Sequence, residues 1–488
     1  MYCLIKFKSC VKVNKTSNRR FYNEYKIERY KMELPVEKNK EYIVDIIDNG
    51  YEGEGIAKID GYTIFIPQAI KRERVRILIL KTTVSHAYGK LIDIIEPSQN
   101  RVEADCYTYK RCGGCNLRHI KYIETLNIKR EKVQNLVNKT LMQKIEVKNT
   151  IEMKEPYYYR NKAQYPIGVD NNQIPILGIY ANRTHNIIQI DECLIQNPIS
   201  LKIAKFILEY IKNNRISVYN ENNQKGLIRH IIIKIGIKTN EVMCILVING
   251  NSFKQEMELS DQLVKEFPNI KTIIKNINKK NTNVILGNKN YNLFGNGYIY
   301  DKLENYTFKI SPMSFYQVNP IQTEILYKIA IEKAKLTGEE VVFDLYCGIG
   351  TIGIFVSKYA KKVYGIEIVE QAIEDAKENA KINKISNIEF MTGDVGKVLE
   401  SLIIAKKQFP DVMFLDPPRR GLDNETIRNI LKYKPKKVIY ISCNPATLIR
   451  DLKSLEDKYN IKEIQPVDMF PFTSHVECCA VMTLKGNL

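Results

Sequence analysis

Short runs with alternating hydrophobic and polar residues fill positions 32–92. Residues 42–47, 63–67, 75–79 and 91–95 have the period of two that is typical of β-strands. Four glycines between positions 50 and 61 mark turns between them. Several short strands within about 60 residues predict a small OB-like β-barrel, a type of domain that binds nucleic acid on an open face.

The pattern changes after residue 321, where helices begin to alternate with strands. A helix over 321–335 precedes strands that we predict at 341–345, 362–366, 388–391, 412–415 and 437–442. This alternation predicts a doubly wound, mostly parallel, Rossmann-like α/β sheet. Such sheets bind ligands beyond the carboxyl ends of their strands. The stretch from about 121 to 311 mixes helices and strands and predicts an α+β domain.

These patterns divide the chain into four segments. We expect a basic extension at 1–31, a β-barrel at 32–93, a cysteine loop with a central α+β domain at 94–311, and an α/β domain at 312–488. The extension holds nine Lys or Arg residues and only two acidic ones, without the apolar stretch of a secretory leader. It is expected to be disordered, or untranslated if Met32 is the start.

Composition narrows the class of partner. The net charge is +19, which favours nucleic acid or an anionic surface, although general richness in Lys and Asn supplies part of it. The sequence contains no apolar run of about 18 residues, so we expect no membrane span. The 11 cysteines show no disulfide-like spacing, so we expect reduced thiols and a cytoplasmic protein.

A glycine-rich turn follows the first strand of the α/β segment. Gly348 and Gly350 precede a helix, so a ligand can approach the backbone closely. Glu367 ends the next strand, where an acid can bind ribose hydroxyls, and Asp394 ends the third, where it can face an adenine. The set fits S-adenosylmethionine better than NAD, because the full three-glycine fingerprint is missing.

Two further motifs follow the fourth and fifth strands. Asp416 begins an Asp-Pro-Pro-Arg turn in which Arg419 stands where enzymes that methylate exocyclic amines have an aromatic residue. Cys443 follows the fifth strand, just before a helix whose N-terminus is expected to lower the thiol pKa. A lone cysteine is usually a small buried hydrophobe, as we expect for Cys478 and Cys479. The polar turn favours a nucleophile at Cys443 instead.

Such a thiol fits the methylation of a pyrimidine carbon. Carbon 5 of uracil becomes nucleophilic when a thiolate adds to carbon 6, and a base must later remove the carbon 5 proton. Glu477 is the candidate base, and His475 could take that role or orient the base. On spacing alone, Glu477 could equally be an exposed loop carboxylate.

Together these motifs resemble the RNA (uracil-5-)-methyltransferase family. The motifs are 315–319, 344–350, 416–418, 442–447 and 475–477, and the resemblance extends to 159–162 and 226–230. Residues 32–92 resemble the TRAM domain, which often accompanies the rRNA branch. The resemblance implies an S-adenosylmethionine-dependent enzyme that forms 5-methyluridine in 23S rRNA during rRNA processing.

The resemblance also implies roles for single residues. Cys443 would be the nucleophile and Glu477 the base. The cofactor would contact Gln317, Tyr346, Gly348, Thr351, Glu367, Asp394 and Asp416. Tyr346 stands where relatives often have Phe, and Thr351 where some have Asn. Phe315 would stack near a flipped-out base, and Arg160, Lys162 and Arg229 would contact RNA.

A group of cysteines remains. Cys106, Cys112 and Cys115 have C-x5-C-x2-C spacing, and Cys193 stands alone. The residues by themselves fit either zinc or an iron–sulfur cluster. The resemblance to the rRNA branch implies a 4Fe–4S cluster that supports folding or RNA binding. We therefore expect the loss of Cys112 to unfold the loop without affecting the chemistry.

Three alternatives remain open. The same chemistry could act on the T-loop uridine of tRNA, although the barrel and the cysteines favour rRNA. A non-catalytic RNA-binding assembly factor could keep the fold, but Cys443 and Glu477 speak against it. A cytosine-5 enzyme would need a cysteine beside Asp416, where none stands. The sequence indicates neither the target uridine nor the oligomeric state.

Overall fold

The alternating N-terminal segment folds into six strands that roll into a small barrel. A computed structural model describes residues 34–486, and the extension predicted at 1–31 lies outside them. Ile47 N donates to Ile56 O at 2.8 Å, which joins the end of the first strand to the third. The predicted barrel is confirmed. Its strands have the order β1-β5-β6-β4-β3-β2: β1 (Glu41–Asp45), β2 (Asp48–Asn49), β3 (Gly55–Ile59), β4 (Tyr62–Ile66), β5 (Arg74–Thr82) and β6 (His86–Glu96).

The middle of the chain forms a second sheet with helices. The seven strands have the order β13-β12-β11-β10-β7-β8-β9, followed by the β14-β15 hairpin. Strands β10 and β11 are buried along their whole length, although β10 contains Arg229, His230 and Lys234. The elements are α1 (Tyr122–Thr140), β7 (Lys162–Val169), β8 (Pro175–Tyr180), β9 (Ile187–Gln189), α2 (Pro198–Asn213), β10 (Ile228–Ile235), β11 (Val242–Ile248), α3 (Glu256–Glu266), β12 (Ile270–Ile277), β13 (Lys289–Gly295), β14 (Ile299–Leu303) and β15 (Tyr306–Ile310).

The C-terminal part is an α/β domain with a seven-stranded sheet of order β18-β17-β16-β19-β20-β22-β21. The first five strands in that order are parallel, as predicted, whereas β21 and β22 are antiparallel and were not predicted. The elements are α4 (Pro320–Ala334), β16 (Val341–Leu345), α5 (Thr351–Ser357), β17 (Lys362–Glu367), α6 (Glu370–Ile382), β18 (Ile388–Thr392), α7 (Val395–Lys406), β19 (Val412–Leu415), α8 (Asn424–Tyr433), β20 (Lys437–Ser442), α9 (Pro445–Leu455), β21 (Tyr459–Val467) and β22 (Glu477–Leu484).

Helix α1 belongs to the C-terminal core, although it precedes the central sheet in the chain. Val133 and Val137 of α1 share one buried hydrophobic cluster with Leu448 and Leu452 of α9. This packing brings the cysteine loop, which leads into α1, close to the C-terminal sheet. In the described part of the chain, no helix has the length and apolarity needed to cross a membrane.

Candidate active site

The carboxyl ends of the parallel strands surround a cavity of about 610 Å³. Because parallel strands all end at the same edge of the sheet, the residues that follow them converge there. The cavity is lined by all the predicted cofactor and catalytic residues, together with Phe315 and Arg160: Gln317, Tyr346, Gly348, Thr351, Glu367, Asp394, Asp416, Cys443 and Glu477.

The glycine-rich turn after β16 has the backbone conformation that a ligand loop requires. Gly348 has φ +55°, and nothing lies within 4 Å of the position its Cβ would take. Gly350 has φ +81°, and a Cβ there would lie 2.6 Å from Phe390 Cζ, so that only glycine fits. Glu367 Oε2 accepts from Gly348 N at 3.3 Å, which fixes this carboxylate beside the turn. The turn therefore leaves room for a ligand against its backbone.

Hydrogen bonds of Asp344 and Thr351 support the turn, and Asp394 lines the same cavity. Asp344 is fully buried, and its Oδ2 accepts from Gly353 N at 2.7 Å. Burial raises the pKa of Asp344 to about 8. Thr351 forms a hydrogen bond of 3.0 Å with the hydroxyl of Tyr327 on α4. Asp394 caps α7 by accepting from Lys397 N at 3.3 Å, and it stays exposed at the cavity.

Cys443 and Glu477 lie at the same end of adjacent strands. In the ladder between β20 and β22, Ser442 pairs with Cys478, so the residues one step further are Cys443 and Glu477. Glu477 is only 2% exposed, which excludes the reading as a loop carboxylate in solvent. Burial, together with the Asp416 carboxylate, raises the pKa of Glu477 well above its usual value. A buried carboxyl group with a raised pKa is a candidate for proton transfer.

The thiol of Cys443 does not have the lowered pKa that the sequence predicted. Burial, followed by the negative charges of Glu477 and Asp416, raises its pKa to about 11, and Arg419 opposes this only in part. Burial also raises the pKa of Asp416, to about 7. Desolvation and two carboxylates therefore outweigh the N-terminus of α9, so the free protein holds Cys443 mainly as a thiol.

Hydrogen bonds fix the turn that carries Cys443. The Asn444 side chain caps α9, because its Oδ1 accepts from Ala446 N at 3.2 Å. Its Nδ2 donates to Arg419 O at 2.9 Å, which ties this turn to the Asp-Pro-Pro-Arg turn after β19. The two turns that carry Asp416 and Cys443 are thus held against each other.

The loop that carries Phe315 rests on a buried polar network that the sequence analysis missed. Lys234 Nζ donates to Ser311 O at 2.9 Å and to Ser314 O at 3.1 Å, and burial lowers the Lys234 pKa to about 7. Asp375 accepts from both serine hydroxyls, at 3.0 and 2.7 Å. The sequence signal for this network was Lys234, a lysine inside the otherwise apolar run 231–235. Phe315 itself is 67% exposed above this network.

Comparisons with known proteins agree with this geometry. The family model described as tRNA (uracil-5-)-methyltransferase matches residues 121–485, and the TRAM domain model matches residues 35–92. The chain belongs to the tRNA (uracil-5-)-methyltransferase family. The family and the TRAM domain predicted from the motifs are therefore confirmed.

Relatives in this family span nearly the whole chain. An uncharacterized RNA methyltransferase of Clostridium acetobutylicum is 47% identical over 91% of this chain and 97% of its own length. One of Halalkalibacterium halodurans is 44% identical over 93% of this chain and 100% of its own. The Pyrococcus abyssi tRNA (uracil-54, C5)-methyltransferase, solved with S-adenosyl-L-homocysteine, is 26% identical with a TM-score of 0.72 and covers 90% of this chain and 99% of its own.

The residues expected to contact RNA differ in their placement. Arg160 lines the main cavity, and Lys162 lines a smaller one beside Phe315, where burial lowers its pKa. Arg229 is only 4% exposed, and its Nη1 donates to Asn278 O and Lys280 O at 2.9 and 2.8 Å. Its guanidinium also lies over the ring of Tyr219 at 4.3 Å. Arg229 is therefore held by internal contacts, and its role as an RNA contact stays a prediction.

The four cysteines of the predicted cluster come together. Cys106, Cys112, Cys115 and Cys193 line one small cavity of about 20 Å³, and all four are free thiols. Burial raises the pKa of Cys112 and Cys193, and that of Cys115 to about 12. Within residues 34–486, no group of three or more Cys, His, Asp or Glu side chains is arranged to hold a single metal ion. The four thiols therefore share one site.

Proposed function

We propose that this protein uses S-adenosylmethionine to methylate carbon 5 of a uridine in structured RNA. The observation that carries the proposal is the joint placement of Cys443 and Glu477 in the cavity that also contains the glycine-rich turn. A thiol and a buried carboxyl group beside a nucleoside-sized site are the groups that this chemistry needs. The chain's membership in the tRNA (uracil-5-)-methyltransferase family supports the same reaction.

The residues of the cavity fit the cofactor. The space where a Cβ of Gly348 would lie is empty, so an adenosyl group can lie against the backbone. Glu367 would bind the ribose hydroxyls, Asp394 the adenine, and Gln317, Tyr346, Thr351 and Asp416 would line the rest. The cofactor supplies the methyl group. The P. abyssi relative was solved with S-adenosyl-L-homocysteine, which has the same adenosyl group.

The chain's own residues would then act in order on the uracil. Cys443 first loses its thiol proton to solvent, and the thiolate sulfur then adds to carbon 6 while the electron pair of the 5,6 double bond moves to form an enolate. Carbon 5 of the enolate then takes the methyl group as the sulfur–methyl bond breaks, and S-adenosylhomocysteine is the leaving group. Glu477, as carboxylate, removes the proton from carbon 5, and the returning electron pair expels the Cys443 thiolate. Phe315 would stack on the RNA around the flipped-out base.

The RNA substrate is proposed to be 23S rRNA, with tRNA as a second candidate. The barrel and the four-cysteine set support rRNA through the resemblance to that branch. One observation favours tRNA: the P. abyssi relative is named for uridine 54 of tRNA, and its likeness covers 90% of this chain. A likeness restricted to the residues after the barrel would cover less than 90% of this chain, so the likeness must include the barrel. The barrel therefore does not distinguish the two substrates by itself.

The four cysteines are proposed to bind a 4Fe–4S cluster. A single zinc ion needs all its sulfur ligands at about 2.3 Å from one point. A cluster binds each thiolate to a different iron atom, so its ligands stand further apart. The choice of a cluster rests on the resemblance to the rRNA branch, and the four free thiols that line one cavity support a shared site.

The decisive experiment supplies labelled S-adenosylmethionine with total rRNA and total tRNA in separate reactions. We expect label as 5-methyluridine in rRNA from wild-type protein and none from Cys443→Ala. Label in tRNA alone would keep the chemistry and replace the substrate. If protein that still binds RNA labels neither, the protein is a non-catalytic RNA-binding factor. Label on cytosine or on an exocyclic amine would reject the proposed chemistry.

A further inference from the structure

One loop of the N-terminal barrel reaches the candidate active site. This loop, residues 50–54, is a tight turn in which Gly50 N donates to Glu54 O at 2.6 Å. Tyr51 lies at its tip, and the Tyr51 hydroxyl donates to Asn444 Oδ1 at 3.0 Å. Asn444 directly follows Cys443. A residue of the barrel thus bonds to the turn of the candidate nucleophile across 393 positions of the chain.

The bond to Tyr51 is the third hydrogen bond of the Asn444 amide. Its Oδ1 accepts from Tyr51 and from Ala446 N, while its Nδ2 donates to Arg419 O at 2.9 Å. Ala446 N can only donate and Arg419 O can only accept, so these two contacts fix the end of the amide that faces Tyr51, and the Tyr51 hydroxyl donates to that oxygen. The orientation of Asn444 in turn fixes the start of α9 and the turn that presents Cys443.

The same barrel loop also contacts the segment that leads to Glu477. Lys132 Nζ lies 3.6 Å from the centre of the Tyr51 ring and donates to Ser474 O at 2.9 Å. Glu52 O accepts from Asn116 Nδ2, and Asn116 Oδ1 accepts from Ser474 N at 2.8 Å. Gly53 has φ +84°, and a Cβ there would lie 2.5 Å from Leu117, so the loop and the cysteine loop fit closely.

We propose that Tyr51 is a positioning residue, through which the barrel holds the Cys443 turn and the segment before Glu477 in their working arrangement. This inference rests on the proposed function for the roles of Cys443 and Glu477. It assigns the barrel a part in the rate of the reaction in addition to RNA binding. Loss of the Tyr51 hydroxyl leaves the Asn444 amide with one partner fewer and loosens the turn.

The test compares two tyrosine-to-phenylalanine variants of the full chain. Tyr51→Phe keeps the ring under Lys132 and removes only the hydroxyl. Tyr42→Phe is the matched control, because its hydroxyl accepts from Glu37 N at 3.0 Å within the barrel. We expect Tyr51→Phe to lower kcat by roughly tenfold with KM for RNA almost unchanged, since small misplacements of reacting groups cost rate. Tyr42→Phe should match wild type in both constants.

A double-mutant cycle tests whether Tyr51 acts through Asn444. In an Asn444→Ala background, Tyr51→Phe should lower kcat no further. An equal loss in both backgrounds would overturn the proposal. So would a rise in KM at unchanged kcat, which would make Tyr51 a simple RNA contact. Equal thermal midpoints of Tyr51→Phe and Tyr42→Phe would show that the effect is not unfolding.

A second readout does not depend on the methylation reaction. Iodoacetamide alkylation of Cys443, followed by mass spectrometry of its peptide, should be several-fold faster in Tyr51→Phe than in wild type or Tyr42→Phe. Equal alkylation rates in all three proteins would reject the positioning role. If the wild type methylates no uridine while Tyr51→Phe still alkylates faster, the proposed function fails and the positioning role stands.

Discussion

Ser442 pairs with Cys478 across the ladder of β20 and β22, so Cys443 and Glu477 are neighbours at the edge of the sheet although 33 residues separate them. The antiparallel direction of β22 produces this arrangement. A parallel last strand would place its first residue at the opposite edge, away from the cavity. The reversed strand therefore brings the candidate base to the candidate nucleophile.

Replacement of Glu477 should stop the reaction after methyl transfer, before the carbon 5 proton is removed. In Glu477→Gln, Cys443 can still add to carbon 6 and carbon 5 can still be methylated, but the carbon 5 proton stays. We expect a protein–RNA adduct that survives denaturing electrophoresis, with turnover reduced roughly 10²- to 10⁴-fold. The adduct should be absent in Cys443→Ala/Glu477→Gln. A Glu477→Gln protein with normal turnover would move the base to another group, with His475 as the first candidate.

Substitutions of Asp416 and of Arg419 should shift the pKa of Cys443 in opposite directions. With a thiol pKa of about 11, the alkylation rate of Cys443 in free protein should rise about tenfold per pH unit from pH 8 to 10. Asp416→Asn removes a negative charge, lowers this pKa and raises the rate at pH 8.5. Arg419→Gln removes a positive charge, raises the pKa and lowers the rate.

Each substitution should change the rate by roughly three- to tenfold, because one pKa unit corresponds to a tenfold change in the thiolate fraction. Lys432→Gln, on the distant α8, is a control that should leave the profile unchanged. A plateau below pH 9 in wild type would contradict the raised pKa. Changes of the same sign in Asp416→Asn and Arg419→Gln would show a structural effect instead of an electrostatic one.

Loss of a cluster cysteine should affect catalysis as well as iron binding. Asn116 N and Leu117 N both donate to Phe472 O, at 3.1 and 3.0 Å, so the cysteine loop supports the segment before Glu477. We expect Cys112→Ser to lose iron, measured by absorbance and metal analysis, and to lower kcat at least several-fold. This differs from the sequence-based expectation that the chemistry would be unaffected.

Cys244→Ser is the matched control for that variant, because Cys244 lies buried in β11 away from the cavity of the four cysteines. It should keep its iron and its kcat. Cys112→Ser that has no iron but full activity would support the original expectation. Wild-type protein that contains zinc and no iron after anaerobic purification would reject the cluster.

Substitution of Arg229 should mainly lower stability, whereas substitution of Arg160 should mainly weaken RNA binding. Arg229→Met leaves the carbonyls of Asn278 and Lys280 without their donor, and should lower the free energy of unfolding by roughly 2–4 kcal/mol. Arg160→Met, at the main cavity, should raise KM for RNA with a smaller loss of stability. Thermal unfolding and steady-state kinetics on both variants check this. A normal melting temperature with weak RNA binding in Arg229→Met would support its sequence-based role.

Much of the α/β domain could be predicted because its signals are local. Strand β16, the turn at Gly348 and the helix α5 follow one another directly, so a short window of sequence contains the whole motif. The same holds for Asp416 after β19 and Cys443 after β20. The antiparallel β21 and β22 were missed because strand direction depends on pairing with distant segments, which a local pattern does not record.

The sequence by itself determined the two flanking folds, the positions of the parallel strands along the chain and the identity of the residues that follow their carboxyl ends. These depend on local periodicity and on turn chemistry. Only the tertiary structure decided the raised pKa of Cys443, the burial of Arg229, and the contact of Tyr51 with Asn444. Each depends on groups that are far apart in the chain, because desolvation, charge and hydrogen bonding act through space.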